Sequence, residues 1–199
     1  MPLDRRQFCG FFILLAVSPF GSPARAQSRE VAMERIALTK AAHGVPNSPY
    51  PVILYHHVLP PETADPAAYL EHLFTANGWP PQWRYPVYPY THFHSNTHEV
   101  LGCYAGSAKL QLGGEGGPVH EVTAGDVLLL PAGVGHKQME ADKAFMLVGA
   151  YPTGFSPDLC RDEPPLLAKR RKSVLAVPLP TSDPVTGHSE GCLKYWVKA

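Results

Sequence analysis

Short runs in which apolar and polar residues alternate follow one another along the chain, and turn residues separate them. Alternate residues of a strand point to opposite faces, so Glu99, Leu101 and Cys103 share one face of the run 99–103. Residues 127–130 form a continuous apolar run that is typical of a fully buried strand. Further strands are predicted at residues 31–40, 52–58, 109–112, 119–122, 144–148, 173–179 and 193–197. The pattern predicts an all-β domain.

One segment departs from this pattern and predicts a helix before the central strands. Asp65 followed by Pro66 is typical of a helix N-cap and first helical position. Apolar residues then recur at helical spacing as far as Phe74, and Asn77-Gly78 is typical of a helix end. We expect this helix to cover one end or face of the β-structure.

Three histidines and one glutamate in the central strands suit a metal ion. His92 and His94 are two residues apart and therefore share a face of one strand. Glu99 opens the next strand, and His136 follows a bend at residues 131–133. Three imidazoles and a carboxylate at one place are typical ligands of a transition metal. Only a closed barrel would bring His136 to the others, and the spacing alone does not show one.

The two stretches that carry these residues resemble the two sequence motifs of the cupin superfamily. The first reads His-x-His-x4-Glu-x6-Gly and ends at Gly106, and the second reads Gly-x5-Pro-x-Gly-x2-His and begins at Gly125. Pro86 stands where the first motif usually opens with Gly, and Glu140 stands where the second usually closes with Asn. The resemblance implies a single-domain jelly-roll β-barrel (cupin) with a short helix before the motifs, which span residues 86–152.

A closer resemblance is to the uncharacterised YjlB-like cupins, and it covers most of the chain after about residue 45. The segments that carry it are GWPPQW at 78–83, YPY at 88–90, HEVLG at 98–102, QLGG at 111–114 and VGAYP at 148–152. Those relatives have no assigned activity, so the resemblance names no substrate.

The resemblance implies that His92, His94, Glu99 and His136 hold one divalent transition-metal ion. Imidazole and carboxylate ligands suit Fe, Zn, Mn, Ni and Cu, so the sequence does not distinguish the metal. A bound ion would favour a metal-dependent enzyme that acts on a small polar molecule, by oxidation or isomerisation for example. The alternatives are a non-catalytic cupin that binds or senses a small molecule, a storage-like barrel, and a barrel that keeps its histidines without a metal.

Three more side chains are candidates for contacts around the ligands. His98 is next to Glu99 and faces away from the site if strand order holds. Cys103 should point into the barrel, either as a small buried hydrophobe or as a reactive thiol near the metal. Tyr90 belongs to an aromatic cluster that forms either core or pocket wall. The catalytic residues are unknown, and Tyr90, His98 and Lys137 are the remaining candidates for a general base.

The N-terminus predicts export. Arg5-Arg6 precede an apolar run over residues 8–17, which is about half the roughly 20 residues of a membrane span. Small residues before position 27 are typical of a cleavage site, so residues 1–26 are interpreted as a signal peptide and residues 27–199 as the cupin domain. The paired arginines resemble a twin-arginine signal; an ordinary secretory signal or an uncleaved anchor is the alternative. A periplasmic or secreted protein is expected.

An oxidising compartment would permit a disulfide between Cys160 and Cys192. The sequence does not place these two residues in space, so the pairing stays open.

The charge balance implies no strongly charged partner. Basic and acidic residues number 17 each, and removing residues 1–26 leaves 14 and 16, a net charge of −2. The basic run 169–172 is interpreted as a solvated surface turn rather than a nucleic-acid contact. We therefore expect a small-molecule ligand or substrate as the partner, with no nucleic acid and no membrane after signal cleavage. A homodimer stays open.

Overall fold

A computed structural model describes residues 31–197 of the chain, so the signal peptide predicted over residues 1–26 lies outside the described part. Its strands, in chain order, are β1 (Ala32–Ile36), β2 (Val52–His56), β3 (Pro81–Tyr85), β4 (His92–Phe93), β5 (Glu99–Ala105), β6 (Ser107–Leu112), β7 (Val119–Thr123), β8 (Val127–Leu130), β9 (His136–Ala141), β10 (Met146–Ala150) and β11 (Cys160–Arg161). The helices are α1 (Pro66–Ala76), α2 (Leu167–Ala176) and α3 (Cys192–Tyr195), and a 3₁₀ turn spans Pro164–Leu166.

The strands form two antiparallel sheets. The first has the order β1-β2-β8-β5-β10-β3, and the second has the order β11-β4-β9-β6-β7. Neighbouring strands in each sheet are often far apart in the chain, as in the pairing of β2 with β8. This arrangement is the jelly-roll β-barrel expected from the sequence.

The inner faces of the two sheets share one apolar core. Leu54, Leu101 and Leu128 from the first sheet are buried in the same cluster as Leu110 and Leu112 from the second sheet. Cys103 belongs to this cluster, so it points into the barrel as predicted. The alternation of apolar and polar positions in β5 and β6 thus defines the interior of the barrel.

The outer face of the first sheet is also buried, because α1 and the C-terminal segment cover it. Leu70 and Phe74 of α1 pack with Val127 and Leu129 of β8. This double burial explains the continuous apolar sequence of β8, since both faces of that strand are removed from water. Gly102 makes the close packing possible, because a Cβ there would lie 2.8 Å from the Phe74 ring.

The helix predicted after Asp65 is confirmed. Its N-cap side chain accepts a hydrogen bond from the amide of Ala68 at 3.0 Å, and Pro66 occupies the first turn. The C-cap is Asn77, and Gly78 follows with a positive φ of 79°. None of the helices that the structure describes is long and apolar enough to cross a membrane.

The C-terminal predictions are wrong in part. The segments at residues 173–179 and 193–197 are not strands, because α2 and α3 lie there, and the basic run 169–172 lies within α2 rather than in a turn. Leu, Ala, Lys and Arg dominate α2, and these residues favour a helix more strongly than the short apolar stretch at its end favours a strand. The side chain of Val174 is the buried contact of this helix.

Cys160 and Cys192 are free and buried. Cys160 packs with Val45 and Phe93, whereas Cys192 lies in the apolar cluster under α1. The disulfide left open by the sequence is therefore not formed.

Candidate metal centre

The pairing of β4 with β9 brings His136 to the first two histidines. His92 and His136 are directly opposite each other in this antiparallel pair. The turn before β9 passes through Gly133, whose φ is 89° and whose amide donates to the carbonyl of His94 at 2.8 Å. A side chain at this position would also meet the carbonyl oxygen of Asn47 at 2.6 Å, so the turn requires glycine.

Three of the four predicted ligands form a compact buried cluster. The ligand atoms of His94, Glu99 and His136 lie within 4.8 Å of one another. The Nε2 atom of His94 is 3.3 Å from Oε1 of Glu99, and the Nε2 atom of His136 is 3.2 Å from Oε2. The barrel thus brings together side chains that are up to 42 positions apart in the sequence.

His92 lies beside this cluster and lines the same cavity. Its ring centroid is 4.0 Å from that of His136 and 6.1 Å from that of His94. It is not one of the three residues whose ligand atoms lie within 4.8 Å of one another. Its role as a fourth ligand stays a prediction.

The three histidines share one orientation. In each ring Nδ1 faces a backbone carbonyl. The Nδ1 atom of His92 is 3.2 Å from the carbonyl oxygen of Tyr90, and that of His136 is 3.2 Å from the carbonyl oxygen of Val134. The Nδ1 atom of His94 faces the carbonyl of Asp158. A carbonyl oxygen can only accept a hydrogen bond, so Nδ1 carries the proton of a neutral ring. Each Nε2 atom therefore keeps its lone pair, as a metal ligand requires.

The buried carboxylate of Glu99 is the centre of the local charge. Burial acts to raise its pKa, but the adjacent imidazoles of His94 and His136 outweigh burial and hold the pKa of Glu99 well below its usual value. Burial acts to lower the pKa of His94, and the neighbouring Glu99 outweighs it, so the pKa of His94 is raised. Glu99 thus favours a positive charge in the middle of the cluster.

The pKa of His92 shifts in the opposite direction to that of His94. Burial and the nearby His136 lower the pKa of His92 to about 3, despite the carboxylate of Glu99. The imidazole of His92 is therefore neutral at pH 7, which is the form that binds metals.

One oxygen of Glu99 fits a metal ligand. Its Oε2 atom is buried and has no hydrogen-bond partner among the described residues, although buried polar atoms are nearly always paired. A cation beside this oxygen would satisfy it. The donor set of imidazole nitrogens and one carboxylate therefore fits a divalent transition metal.

Tyr151 holds the other oxygen of Glu99, and nothing in the two motifs predicts it as a site residue. Its hydroxyl donates to Oε1 at 2.7 Å and accepts from the indole Nε1 of Trp83 at 3.0 Å. Burial, and then the charge of Glu99, raise the pKa of the Tyr151 hydroxyl, so it stays protonated and must donate to the carboxylate. The available signal was its place in the VGAYP segment, which supported the resemblance only.

Tyr151→Phe is expected to lower metal affinity about tenfold, because partners that orient a ligand typically contribute 10–100-fold. The measurement is competition for the metal with a chelator of known affinity. Tyr69→Phe is the matched control, since no hydrogen bond of the Tyr69 hydroxyl ties it to the cluster. Equal affinities of wild type and Tyr151→Phe would contradict an orienting role.

Gly149 fixes the position of Trp83. A Cβ at Gly149 would lie 2.0 Å from the indole ring, so the ring rests directly on the glycine backbone. Trp83 and Gly149 are opposite each other in the pairing of β3 with β10. The glycine therefore sets the wall from which Trp83 reaches Tyr151.

We expect Gly149→Ala to destabilise the metal-free protein by about 1–3 kcal/mol, which is typical of overpacking. Chemical denaturation gives the free energy of unfolding. Combining it with Trp83→Leu should cost less than the sum of the two single variants, since the smaller side chain removes the clash. Additive costs would show that the indole does not carry the effect.

The loop that contains Asp158 lies outside the two motifs and contacts the site. The carboxylate of Asp158 accepts hydrogen bonds from the amide and hydroxyl of Ser95 at 2.7 and 2.5 Å. Its own carbonyl accepts from Nδ1 of His94. Asp158 therefore links the irregular segment before β11 to the imidazole of His94, a predicted metal ligand.

The other predicted neighbours lie around the site rather than in it. His98 faces away from Glu99. Its Nδ1 accepts from the amide of Ala132 at 3.0 Å, and its Nε2 donates to the carbonyl of Pro178 at 3.1 Å. Burial lowers the pKa of His98 to about 4. Burial raises the pKa of the Cys103 thiol to about 12, which is the behaviour of an inert buried cysteine. His98 and Cys103 are thus packing and support residues.

Tyr90 contacts the ring of His92 edge to face, with centroids 5.8 Å apart, and its carbonyl orients that ring. Its contact with the predicted ligands is therefore through His92. Among the described residues, the wall of the site cavity does not include Tyr90, His98, Cys103 or Lys137.

The cluster opens into a cavity of about 520 Å³. Its wall is formed by Trp83, Arg84, Tyr85, Pro86, Val87, Tyr88, His92, His94, Glu99, Leu101, His136, Tyr151, Pro157, Asp158 and Leu159. This volume is within the range of small-molecule sites in proteins.

Comparison with known proteins identifies a close relative. The uncharacterised protein YjlB of Bacillus subtilis (strain 168) is 37% identical over 155 residues, which cover 77% of this chain and 91% of the relative. The chain belongs to the YjlB family. With its jelly-roll fold and both motifs, this YjlB-family protein is a cupin. No protein-family model matches the chain.

Solved structures with a similar strand arrangement are more distant from this YjlB-family protein. The DMSP lyase DddQ from Ruegeria pomeroyi DSS-3 is 18% identical over 67% of this chain, with a TM-score of 0.32, and the chain spans about half (52%) of the lyase's length. A double-stranded β-helix protein of Klebsiella pneumoniae is 14% identical, covers 70% of this chain and 85% of its own, and has a TM-score of 0.31. Oxalate decarboxylase from Bacillus subtilis is 15% identical over 67% of this chain and 29% of its own, with a TM-score of 0.28. These likenesses are too remote to bear on the chemistry of the site.

Proposed function

We propose that this YjlB-family protein is a metal-dependent enzyme that acts on a small molecule in the barrel cavity. The observation that carries the proposal is the unpaired Oε2 atom of the buried Glu99, which is faced by an imidazole Nε2 atom at 3.2 Å. A buried carboxylate oxygen without a partner is unusual, and a cation beside it would satisfy it.

His94, Glu99 and His136 would hold a divalent transition metal, and His92 would be the fourth ligand. When bound, such an ion acts as a Lewis acid on an oxygen of the substrate and lowers the pKa of water. Three neutral imidazoles and one carboxylate leave the site with a net charge near +1. The metal itself is not assigned, because this donor set suits Fe, Zn, Mn, Ni and Cu.

The chain's own residues would orient the ligands and exclude water. The Tyr151 hydroxyl keeps Oε1 of Glu99 occupied, which leaves Oε2 for the ion. Backbone carbonyls keep each imidazole in the tautomer that exposes Nε2. Asp158 lines the cavity wall and its carbonyl accepts from Nδ1 of His94, a side chain that is only 8% exposed.

Export through a signal peptide at residues 1–26 belongs to the same proposal. A twin-arginine route would carry a folded protein, which suits a metal loaded before export.

The test begins with elemental analysis of the purified protein, which should contain about one transition metal per chain. Oxygen uptake by the iron-loaded form, screened against small organic molecules, then distinguishes oxidation from other chemistry. A metal-free wild type at neutral pH would overturn the metal assignment. A stoichiometric metal without turnover of any screened compound would favour a binding or sensing cupin.

A further inference from the structure

The wall of the cavity is mostly apolar and aromatic. Its aromatic side chains are Trp83, Tyr85, Tyr88 and Tyr151, and its aliphatic side chains include Leu101 and Leu159. The position of the Trp83 ring is fixed by Gly149, and the hydroxyl of Tyr151 is already bonded to Glu99. Most of the wall therefore offers flat apolar surface rather than free polar groups.

Apart from the predicted metal ligands, the charged side chains in this wall are already paired. The guanidinium of Arg84 donates to both carboxylate oxygens of Glu71, at 2.7 and 2.8 Å. The carboxylate of Asp158 is bonded to Ser95. Among the described residues that line the cavity, none supplies an unpaired cation for an anionic group of a ligand.

Large apolar side chains are exposed where the cavity meets solvent. Tyr85 is 57% exposed, Tyr88 39% and Leu159 52%. Isolated exposed apolar residues are ordinary, but these three line one cavity, and such a patch is typical of a binding site. We call these three residues the rim.

Tyr88 in the rim is held in place by stacking. The rings of Tyr88 and Tyr90 are parallel within 8°, with centroids 4.9 Å apart, and the guanidinium of Arg161 lies 3.5 Å from the centroid of Tyr90. Tyr88 also contacts the ring of His92 edge to face at 5.1 Å. A preformed aromatic surface binds a flat ligand at little entropic cost.

The charge of the site limits the charge of the ligand. A divalent ion and the Glu99 carboxylate together carry about one positive charge, which a single anionic oxygen donor neutralises. A dianion would leave a second negative charge in a cavity whose described wall has no free cation, and burying an unpaired charge is costly.

We propose that the cavity binds molecules with a planar, apolar body and a single oxygen donor, neutral or singly charged, that reaches the metal. This inference rests on the proposed metal site and adds the substrate class. The apolar body would lie between Trp83 and the rim. Small dianions would be excluded.

The test uses the zinc-loaded full chain, since zinc has no redox chemistry, and simple carboxylates as probes. Calorimetry should show that benzoate binds on the order of tenfold to a hundredfold more tightly than acetate, because the phenyl ring leaves water. Isophthalate, which has the same body and one more charge, should bind less tightly than benzoate. Equal affinities for benzoate and acetate, or tighter binding of isophthalate, would overturn the inference.

Substitutions in the rim test whether benzoate binds there. Leu159→Ala and Tyr85→Ala should each weaken benzoate about threefold or more, with acetate unchanged. Leu175→Ala is the matched control, because Leu175 is 61% exposed on α2 and does not line the cavity. Unchanged benzoate affinity in both rim variants, or a rim variant that alters the oligomeric state instead, would contradict the proposal.

Metal content separates the two proposals. If zinc does not bind stoichiometrically, the proposed function fails. If zinc binds and benzoate shows no preference over acetate, only the substrate class fails.

Discussion

Glu99→Gln is expected to yield a folded protein whose metal affinity is at least about a hundredfold lower than that of the wild type. The carboxylate is the negative charge of the cluster, and its two oxygens lie 3.3 and 3.2 Å from the Nε2 atoms of His94 and His136. An amide of the same shape cannot supply this charge. Loss of a supporting residue alone typically costs 10–100-fold, so loss of the charged ligand should cost more.

The loss of stability caused by Glu99→Gln should be larger with metal than without it. In the metal-free state, the fold lowers the pKa of Glu99, so its ionised carboxylate contributes to folding at pH 7 and the variant should be less stable than the wild type. With excess metal, only the wild type should gain stability, because a ligand stabilises the state that binds it. Thermal denaturation with and without zinc measures both effects.

Glu140→Gln is the control for this variant. Glu140 is largely exposed and pairs with Lys109 on the second sheet, so metal content and zinc stabilisation should not change. A Glu99→Gln protein that retains stoichiometric metal would exclude Glu99 as a ligand. It would also remove the basis of the proposed function.

The grouping of His94, Glu99 and His136 could be expected from the sequence, because short-range geometry and the motif resemblance coincide there. A two-residue spacing places His92 and His94 on one face of an extended segment. The approach of His136 depended on the resemblance, since the pairing of β4 with β9 joins segments that are 44 positions apart.

Tyr151 and Asp158 could not be found in the same way. Tyr151 lies just beyond β10, and its bond to Glu99 joins residues 52 positions apart. Asp158 acts through its backbone carbonyl, which no side-chain pattern reveals. Both contacts arise from the packing of separate segments around the ligands, and single-sequence periodicity contains no information on that packing.

The C-terminal segment was predicted poorly for a related reason. Residues 173–179 and 193–197 contain apolar residues that suit a strand, but no neighbouring sheet edge pairs with them; helices α2 and α3 form there instead. The buried side chain of Asp183 holds the segment that contains α3 in place. No apolar pattern marks a residue of this kind.

Asp183 joins the C-terminal segment to the first sheet. Its carboxylate is fully buried and accepts hydrogen bonds from the hydroxyl of Tyr55 in β2 and from the amide of Cys192 at 2.8 Å. It also accepts from the amides of Val185 and Thr186, each at 2.9 Å. Burial and then Asp183 raise the pKa of Tyr55, so the hydroxyl remains a donor.

Asp183→Ala should therefore lower the free energy of unfolding by about 3–5 kcal/mol, one of the largest effects expected for a single substitution in this chain. The variant leaves the Tyr55 hydroxyl, two buried amides and the partly buried amide of Thr186 without an acceptor. Each buried unsatisfied group costs about 1–3 kcal/mol before the structure relaxes. Urea denaturation of the metal-free protein is the measurement, because bound metal would add its own stabilisation.

Tyr55→Phe removes one of the four donors and should cost about 1–3 kcal/mol. Glu115→Ala at the tip of the β6–β7 hairpin is exposed and should change stability by less than about 0.5 kcal/mol. An Asp183→Ala protein as stable as the Glu115→Ala control would show that water or local rearrangement satisfies the four donors. The attachment of α3 to the sheet would then depend on apolar packing of Cys192 and Trp196 rather than on the carboxylate.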